Sequence, residues 1–274
     1  MTTRHGQPLV FPDYTGRVWP SYNNPLFLET IYDCQHLLNS SSCQIIHQGR
    51  NRLGIVFLPQ REGRQVEIVI KEFKPQGVDR WKSLFLPSKA SKAWTGACLL
   101  LTRKVSTPFP VAYLEQRRRF FVDTCYYLCE KVSEAEEIRF LFRKLLPPEL
   151  KAMLTALASF LTDCHKKGIF HRDLSDGNIL VKRNDNKKYE FYLIDTNRIR
   201  LRKHMPLWVK LKNLVRLGVP PSFQRFFLSQ YLGSSNLNNC RWQWYRLNKQ
   251  YFSWYIKFKK KLRLRPLARK LKIQ

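Results

Sequence analysis

The chain has 274 residues, of which 44% are hydrophobic and 14% aromatic, enough for a sizeable core and too many for low-complexity disorder. Its net charge of +29 is uneven, because residues 196–274 hold 20 Lys and Arg and no Asp or Glu. No run of about 18 apolar residues occurs, and the first residues lack a signal-peptide pattern, so we predict a cytoplasmic protein. Seven cysteines without CxxC pairs predict reduced thiols rather than disulfides or zinc.

The first half of the chain has β-strand patterns. Residues 43–73 alternate apolar and other side chains, and Gly49, Gly54 and Gly63 punctuate them, which predicts three strands joined by turns. Residues 91–105 suit a helix, and residues 117–132 suit two further strands of the same antiparallel sheet. Residues 1–40 show little periodicity, so they either pack on this small lobe or cover a nucleotide.

The second half is predicted to be mainly helical. Residues 147–168 begin with two prolines, repeat apolar residues at helical spacing and end at a glycine, which are helix start and stop signals. Two strand-like segments follow at 177–183 and 188–194. The fold class is therefore predicted to be α+β with two lobes. The predicted domains are an N-terminal extension (1–40), a β-rich N-lobe (41–132), a helical C-lobe (133–250) and a basic aromatic segment (251–274).

A polar loop in the second half carries the strongest chemical signal. In HRDLSDGN, residues 171–178, the spacing is that of the catalytic loop H-R-D-x-x-x-x-N of kinases. Asp173 would accept or orient a hydroxyl proton, His171 would support the loop, and Asn178 would bind magnesium. Asp195, after the next strand-like run, fits the second magnesium-binding acid. The alternative is a plain turn with helix-capping aspartates.

Lys71 and two glycines are candidates for holding the phosphates of ATP. Lys71 follows an alternating strand run in IVIKEF, as the phosphate-binding lysine of kinases does. Gly49 and Gly54 bracket a possible phosphate loop, GRNRLG, although this motif is weak. No carboxylate lies between positions 79 and 115, so the helix at 91–105 cannot supply the usual glutamate partner of Lys71.

Four further positions are candidates for other roles. Backbone groups of Glu130 and Val132, at the end of a strand, would meet adenine if this is the hinge between the lobes. Asp176 would cap a turn or approach metal or substrate. His165, beside Lys166 at the end of the predicted long helix, would be an ordinary helix-end cation.

Five segments resemble the bacterial lipopolysaccharide kinase (Kdo/WaaP) family, namely VIKEF, SKASKAW, TPFPVAYLE, GIFHRDLSDGNILV and YLIDTNRIRL. The resemblance covers roughly residues 45–235. It implies a protein-kinase-like fold and ATP- and Mg-dependent phosphorylation of an inner-core sugar, Kdo or heptose, on a lipid A-Kdo precursor at the cytoplasmic face of the inner membrane. Asp195 is followed by Thr and Asn where a protein kinase has Phe and Gly, which argues against a protein substrate.

The C-terminal segment suggests an anionic partner. Aromatic residues at 251, 254, 255 and 258 are spaced as on one helix face, with lysines between them, which is typical of a helix lying on anionic lipid. The alternative is a helix docked on its own domain, ending before Pro266. Two alternatives remain open. One is a protein without catalysis, such as a pseudokinase, that binds nucleic acid or anionic lipid, and of these the lipid is favoured. The other is a kinase for another small acceptor or for protein.

Overall fold

The structure, a computed structural model, describes residues 5–49, 51–60, 64–184 and 188–261, with side chains up to residue 259. The chain forms two compact units. Of the described residues, the first unit contains those up to Leu99 together with Pro108–Val132, and the second contains Leu100–Thr107 together with those from Ser133 to Lys261.

The first unit is built on a seven-stranded antiparallel sheet with strand order β1-β2-β6-β7-β5-β4-β3. The strands are β1 (Gln7–Val10), β2 (Tyr14–Val18), β3 (Gln44–Gln48), β4 (Asn51–Pro59), β5 (Gln65–Phe73), β6 (Pro110–Arg118) and β7 (Phe121–Glu130). The helices are α1 (Pro25–Tyr32), α2 (Cys34–Asn39), α3 (Val78–Lys82) and α4 (Lys89–Thr102), whose last turn belongs to the second unit.

Helices cover both faces of this sheet. On one face, Phe27 and Ile31 of α1 and Leu38 of α2 pack on the apolar side chains of the strands. On the other face, α4 packs through Trp94 and its alanines. Since alternate residues of a strand point to opposite faces, β7 contributes Tyr126 to the first core and its neighbours to the second.

Residues 5–39 belong to this sheet unit, which is the first of the two alternatives that their sequence left open. They supply β1, β2, α1 and α2. Local capping explains the two short helices. The side chain of Asn24 accepts a hydrogen bond from the Phe27 N–H at the start of α1, and Asp33 does the same for the His36 N–H in α2.

Gly54 lies inside β4, so the prediction that it punctuates a turn is wrong. A β-carbon at this position would lie 2.5 Å from Cys43 Sγ and 2.8 Å from Leu38 Cδ2. The glycine is therefore explained by the close approach of α2 to the sheet. Gly49 does lie in the turn between β3 and β4, and Gly63 is outside the described residues.

The second unit is mainly helical. Its helices are α5 (Ile138–Lys144), α6 (Pro147–Lys166), α7 (Leu207–Leu214), α8 (Gln224–Leu232) and α9 (Asn239–Lys261). Its strands are β8 (Glu136–Glu137), β9 (Ile169–His171), β10 (Ile179–Arg183), β11 (Tyr189–Leu193) and β12 (Ile199–Leu201). They form a three-stranded sheet, β11-β10-β8, and a two-stranded sheet, β12-β9.

Helix α6 is the predicted long helix, and its predicted apolar face is buried throughout. Strands β10 and β11 confirm the two predicted strand-like segments. In α7, Leu211 and Leu214 are fully buried, as expected of a core stripe. By contrast, the described side chains of α9 from residue 253 onwards are all exposed. None of the described helices is both long and apolar enough to span a membrane.

Candidate active site

The polar loop at residues 172–178 connects β9 to β10 within the second unit. β9 enters it through an antiparallel pair in which His171 lies opposite Ile199 of β12. Two tight turns then follow, since the Ser175 N–H donates to Asp173 O at 2.8 Å and the Asn178 N–H donates to Ser175 O at 3.0 Å. These turns compress the loop and hold its polar residues close together.

His171 supports this loop from the buried side. It is 2% exposed, its Nε2 lies 2.9 Å from Ile194 O, and its Nδ1 accepts the Asp173 N–H at 3.1 Å. The proton therefore sits on Nε2, and burial lowers the pKa of the ring, so His171 is neutral. The imidazole thus ties the backbone of Asp173 to the residue just before Asp195.

Backbone hydrogen bonding also brings Asn178 and Asp195 to the same end of the β10–β11 hairpin. The Ile194 N–H donates to Asn178 O at 3.1 Å, and Ile179 pairs with Leu193. Asn178 Nδ2 donates to Asp173 O at 2.8 Å, which turns the amide oxygen the other way. Asp195 adopts the left-handed conformation with φ 54° and begins a short 3-10 helix.

An amide oxygen and a carboxylate at these positions form a donor set that suits magnesium. Mg²⁺ prefers hard oxygen ligands and typically takes one or two from protein, with substrate phosphates and waters completing its shell. The described residues contain no group of three or more His, Cys, Asp or Glu that could hold a metal on their own. Asn178 and Asp195 fit such a shared magnesium site.

Arg216 is a site residue that the sequence did not indicate. Its Nη1 donates to Asp173 Oδ1 at 2.6 Å, and both side chains are 41% exposed. Gly218 follows closely, and a β-carbon there would lie 2.3 Å from Asp176 Oδ2. The segment after α7 therefore packs directly against the polar loop.

A buried hydrogen-bonded chain anchors the loop to three helices. Asn213 Nδ2 donates to His171 O at 2.8 Å, and Asn213 Oδ1 lies 3.0 Å from His165 Nε2. His165 Nδ1 in turn lies 2.6 Å from the hydroxyl of Tyr231. The prediction that His165 is a helix-end cation is wrong, because burial lowers its pKa to about 4 and leaves it neutral.

Lys71 lies on β5 in the first unit, on the sheet face that α4 covers. Its neighbours across the ladder are Leu53 and Tyr127, and its Nζ lies 5.2 Å from the centre of the Phe73 ring. The next residue, Glu72, points to the opposite face and is 3% exposed, with the Tyr126 hydroxyl 3.3 Å from its Oε1. Glu72 is therefore not the missing glutamate partner.

The remaining candidates are also in the first unit. The Glu130 N–H donates to Phe109 O and the Lys131 N–H donates to Glu67 O, each at 2.9 Å, so both donors are used within the sheet. Glu130 Oε1 accepts the Tyr22 hydroxyl at 2.6 Å, and burial and this contact raise the tyrosine pKa. Gly49 is exposed in its turn, whereas Gly54 faces α2. Val132 follows at the end of this unit.

A cavity of about 440 Å³ lies in the second unit at the start of β9, whereas the polar loop is at its end. Its lining is strongly basic and includes Arg103, Lys166, Lys167, Arg202, Lys203 and Lys210. His165 lines it too. The cavity suits an anion, but it holds none of the four residues His171, Asp173, Asn178 and Asp195.

An antiparallel sheet unit, a helical unit and a loop with the H-R-D-x-x-x-x-N spacing define the kinase-like class of phosphotransferase folds. The model of the lipopolysaccharide kinase (Kdo/WaaP) family matches residues 79–251, and the chain belongs to this family. Membership implies a phosphotransferase and suggests ATP as the phosphoryl donor.

A solved structure supports the fold. The chain is similar to WaaP in a complex of WaaP with acyl carrier protein, at 18% sequence identity and a TM-score of 0.52. The similarity covers 83% of this chain and 92% of that chain. The α+β kinase-like fold predicted from the sequence is thus confirmed. No curated protein is similar enough in sequence to be matched to this chain.

Proposed function

We propose that the protein is an ATP- and Mg²⁺-dependent kinase that phosphorylates a sugar hydroxyl, on Kdo or heptose, of the lipopolysaccharide inner core at the cytoplasmic face of the inner membrane. Family membership supports the reaction class. The observation that carries the proposal is the junction at Ile194, which donates to Asn178 and accepts from His171 beside Asp173. One backbone position, next to Asp195, is thus hydrogen-bonded both to Asn178 and to the histidine that binds the Asp173 N–H.

Asp173 would act on the acceptor hydroxyl. Arg216 engages its Oδ1, and no described residue donates a hydrogen bond to Oδ2, which can therefore accept the hydroxyl proton. As the acceptor oxygen bonds to the γ-phosphorus, the bond from that phosphorus to the β-phosphate oxygen breaks and ADP leaves. The hydroxyl proton passes to Asp173.

Asn178 and Asp195 would hold magnesium through the amide oxygen and the carboxylate. Bound there, Mg²⁺ supplies neutralisation of the negative charge on the transferring phosphates. The hydrogen bond from Asn178 Nδ2 to Asp173 O fixes which end of the amide points away from the loop. A change at Asn178 would therefore disturb the loop and the metal together.

In the first unit, Lys71 would contact the α- and β-phosphates, and the turn at Gly49 would approach the phosphates from its own strand pair. Adenine would meet the Glu130 carbonyl and the Val132 N–H, because the N–H groups of Glu130 and Lys131 are used inside the sheet. Lys71 pairs with Leu53 of β4, the strand that follows the Gly49 turn, which supports a shared role for these two positions.

Helix α9 would place the protein on the anionic membrane that carries its acceptor, a lipid A-Kdo precursor. Tyr251, Trp254 and Phe258 follow one helical stripe and are 65%, 57% and 44% exposed. Lys257 and Lys259 flank this stripe, and each basic residue near an anionic surface contributes about 1 kcal/mol. An exposed aromatic stripe beside lysines is the pattern of an interfacial helix.

The test is transfer of labelled γ-phosphate from ATP, with magnesium, to a Kdo-bearing lipid A precursor. We expect label on the lipid with the native protein and none with Asp173→Ala or Asp195→Ala. Asp163→Ala is the matched control, because Asp163 is an exposed acid of the same unit that pairs with Lys167. Transfer that survives Asp173→Ala would refute the assignment. Magnesium-dependent ATP binding without transfer would mean that the acceptor is another molecule, and no ATP binding would favour a non-catalytic binding protein.

A further inference from the structure

Arg216 stands beside the group that acts on the acceptor, although it lies 43 residues away from Asp173 in sequence. A guanidinium has five N–H donors in a rigid planar fork. Among the described residues, the hydrogen bond to Asp173 Oδ1 is the one that its guanidinium donates. With a side chain 41% exposed, Arg216 presents its other donors to whatever approaches Asp173.

Helix α9 fixes the position of this arginine. Lys249 Nζ donates to Val215 O at 2.7 Å and also to Leu217 O, the two carbonyls on either side of Arg216. The ring of Phe252, one turn further along α9, lies 5.4 Å from the guanidinium carbon. Three consecutive residues are thus held from one helix.

The polar loop fixes the same segment from the other side. Val215 and Leu217 are buried, and Gly218 leaves no room for a β-carbon against the carboxylate of Asp176. The arginine is therefore pre-organised, and it would lose little conformational entropy when it binds a ligand. A surface arginine that merely balanced charge would need none of these contacts.

We infer that Arg216 and Asp173 together form an acceptor subsite for a sugar that carries a carboxylate or phosphate beside the hydroxyl to be phosphorylated. This inference rests on the proposed function and specifies its substrate class. An anionic acceptor would be repelled by the carboxylate of Asp173, and Arg216 offsets that repulsion while binding the anion through paired N–H donors. A neutral acceptor would gain much less from the guanidinium, because hydrogen bonds to uncharged oxygens are weaker than charge-assisted ones.

The test combines protein variants with altered acceptors. Native protein, Arg216→Gln and Arg216→Lys are compared on the Kdo-bearing lipid A precursor, on its carboxylate methyl ester and on its dephosphorylated form. We expect Arg216→Gln to lower kcat/KM on the natural acceptor by about 30-fold or more, and Arg216→Lys to recover part of it. On the acceptor that lacks the recognised group, native protein and Arg216→Gln should agree within about threefold.

The altered acceptors also identify the anionic group that Arg216 binds. Loss of the Arg216 effect with the methyl ester identifies a carboxylate, and loss with the dephosphorylated form identifies a phosphate. Arg225→Gln removes the same charge from an exposed position on α8 and should leave all rates unchanged within about twofold. Phe252→Leu keeps apolar volume but removes the aromatic face, so it should raise the acceptor KM while KM for ATP stays constant.

Equal losses on all three acceptors would overturn the inference, because Arg216 would then act on Asp173 alone. Equilibrium binding of the natural acceptor without ATP separates the two proposals. If native protein binds it and Arg216→Gln does not, but no phosphate is transferred, the proposed function fails and the subsite stands. Binding that is the same in native protein and Arg216→Gln overturns the subsite. Circular dichroism melting of each variant shows that the fold is intact.

Discussion

The polar loop at residues 171–178 has a buried side and an exposed side, and their polar groups are organised in opposite ways. On the buried side, His165, Asn213 and Tyr231 form a neutral hydrogen-bonded chain that ends on the His171 carbonyl. On the exposed side, Asp173 and Arg216 form a charged pair with both side chains 41% exposed. Buried polar contacts are costly to break, whereas an exposed ion pair contributes about 0–1 kcal/mol to stability. The buried chain therefore sets the shape of the loop, and the exposed pair is available for chemistry.

The largest effect should come from the exposed pair and should appear in activity alone. Asp173→Asn keeps an oxygen that accepts from Arg216 but loses the base, so kcat should fall by about 10³-fold. Its free energy of unfolding should change by less than about 1 kcal/mol, since the pair is exposed. Phosphate transfer and urea unfolding measured on one preparation test this. A 10³-fold loss of kcat corresponds to about 4 kcal/mol of activation free energy. If the free energy of unfolding fell by a similar amount, the division between the buried side and the exposed side of the loop would be contradicted.

The buried chain should respond to pH. The pKa of His165 is about 4 in the folded protein, below its ordinary value of 6.5, so the unfolded chain binds the proton more readily. Stability should therefore fall as pH drops from about 6.5 to about 4, by about 3 kcal/mol in total. The measurement is urea unfolding at a series of pH values.

His165→Gln supplies the control for this pH dependence, because glutamine does not titrate. Its stability should vary less over the same pH range. Some dependence should remain, since burial also lowers the pKa of His171. An unchanged pH profile in His165→Gln would show that His165 does not cause the loss.

The sequence predicted the elements whose signals are local. The helix start at Pro147, the stop signal at Gly168 just beyond its last residue Lys166, and the spacing from His171 to Asn178 all lie within short stretches. Their placement on a helix, a strand end and a loop followed from periodicity and turn chemistry. The roles of the individual site residues in catalysis remain predictions until they are measured.

The contacts that the sequence did not reveal join distant positions. Arg216 reaches Asp173 across 43 residues, and His165 reaches Tyr231 across 66. A cation beside a helix end is ordinarily exposed, so only tertiary packing shows that His165 is buried. The place of Gly54 inside β4 is hidden from the sequence for the same reason, because its small size is required by Leu38 of α2 and by Cys43, which no local signal brings close to it.

Asn213 joins the two histidines of the buried chain, so its loss should have a moderate effect on stability. Asn213→Ala leaves the His171 carbonyl and the His165 Nε2–H without this partner, at a cost of about 2 kcal/mol. Activity should also fall, because the loop is less well fixed. Asn248→Ala is the matched control, since Asn248 bonds within its own helix to Trp244 O and should cost less than about 0.5 kcal/mol. Chemical unfolding measures the free energy of unfolding of both variants. Equal losses would mean that the buried chain stabilises the fold no more than an ordinary hydrogen bond within a helix does.

The smallest effect on stability should come from the exposed end of α9. Trp254 and Phe258 stack at 5.2 Å yet remain 57% and 44% exposed, so replacing both with Ala should change the free energy of unfolding by less than about 0.5 kcal/mol. The same double variant should bind vesicles containing phosphatidylglycerol less well than the native protein does, because it loses the side chains that enter the headgroup region.

Lys257→Gln with Lys259→Gln separates the two contributions to this binding. It should weaken binding to anionic vesicles in a salt-dependent manner and leave binding to neutral vesicles unchanged, as expected for charges near a lipid surface. If the aromatic variant instead loses stability and keeps its vesicle binding, α9 docks on the protein itself. Lys249 and Phe252 of the same helix hold Arg216. Such docking would therefore mean that all of α9 serves to position this arginine and that the helix does not bind the membrane.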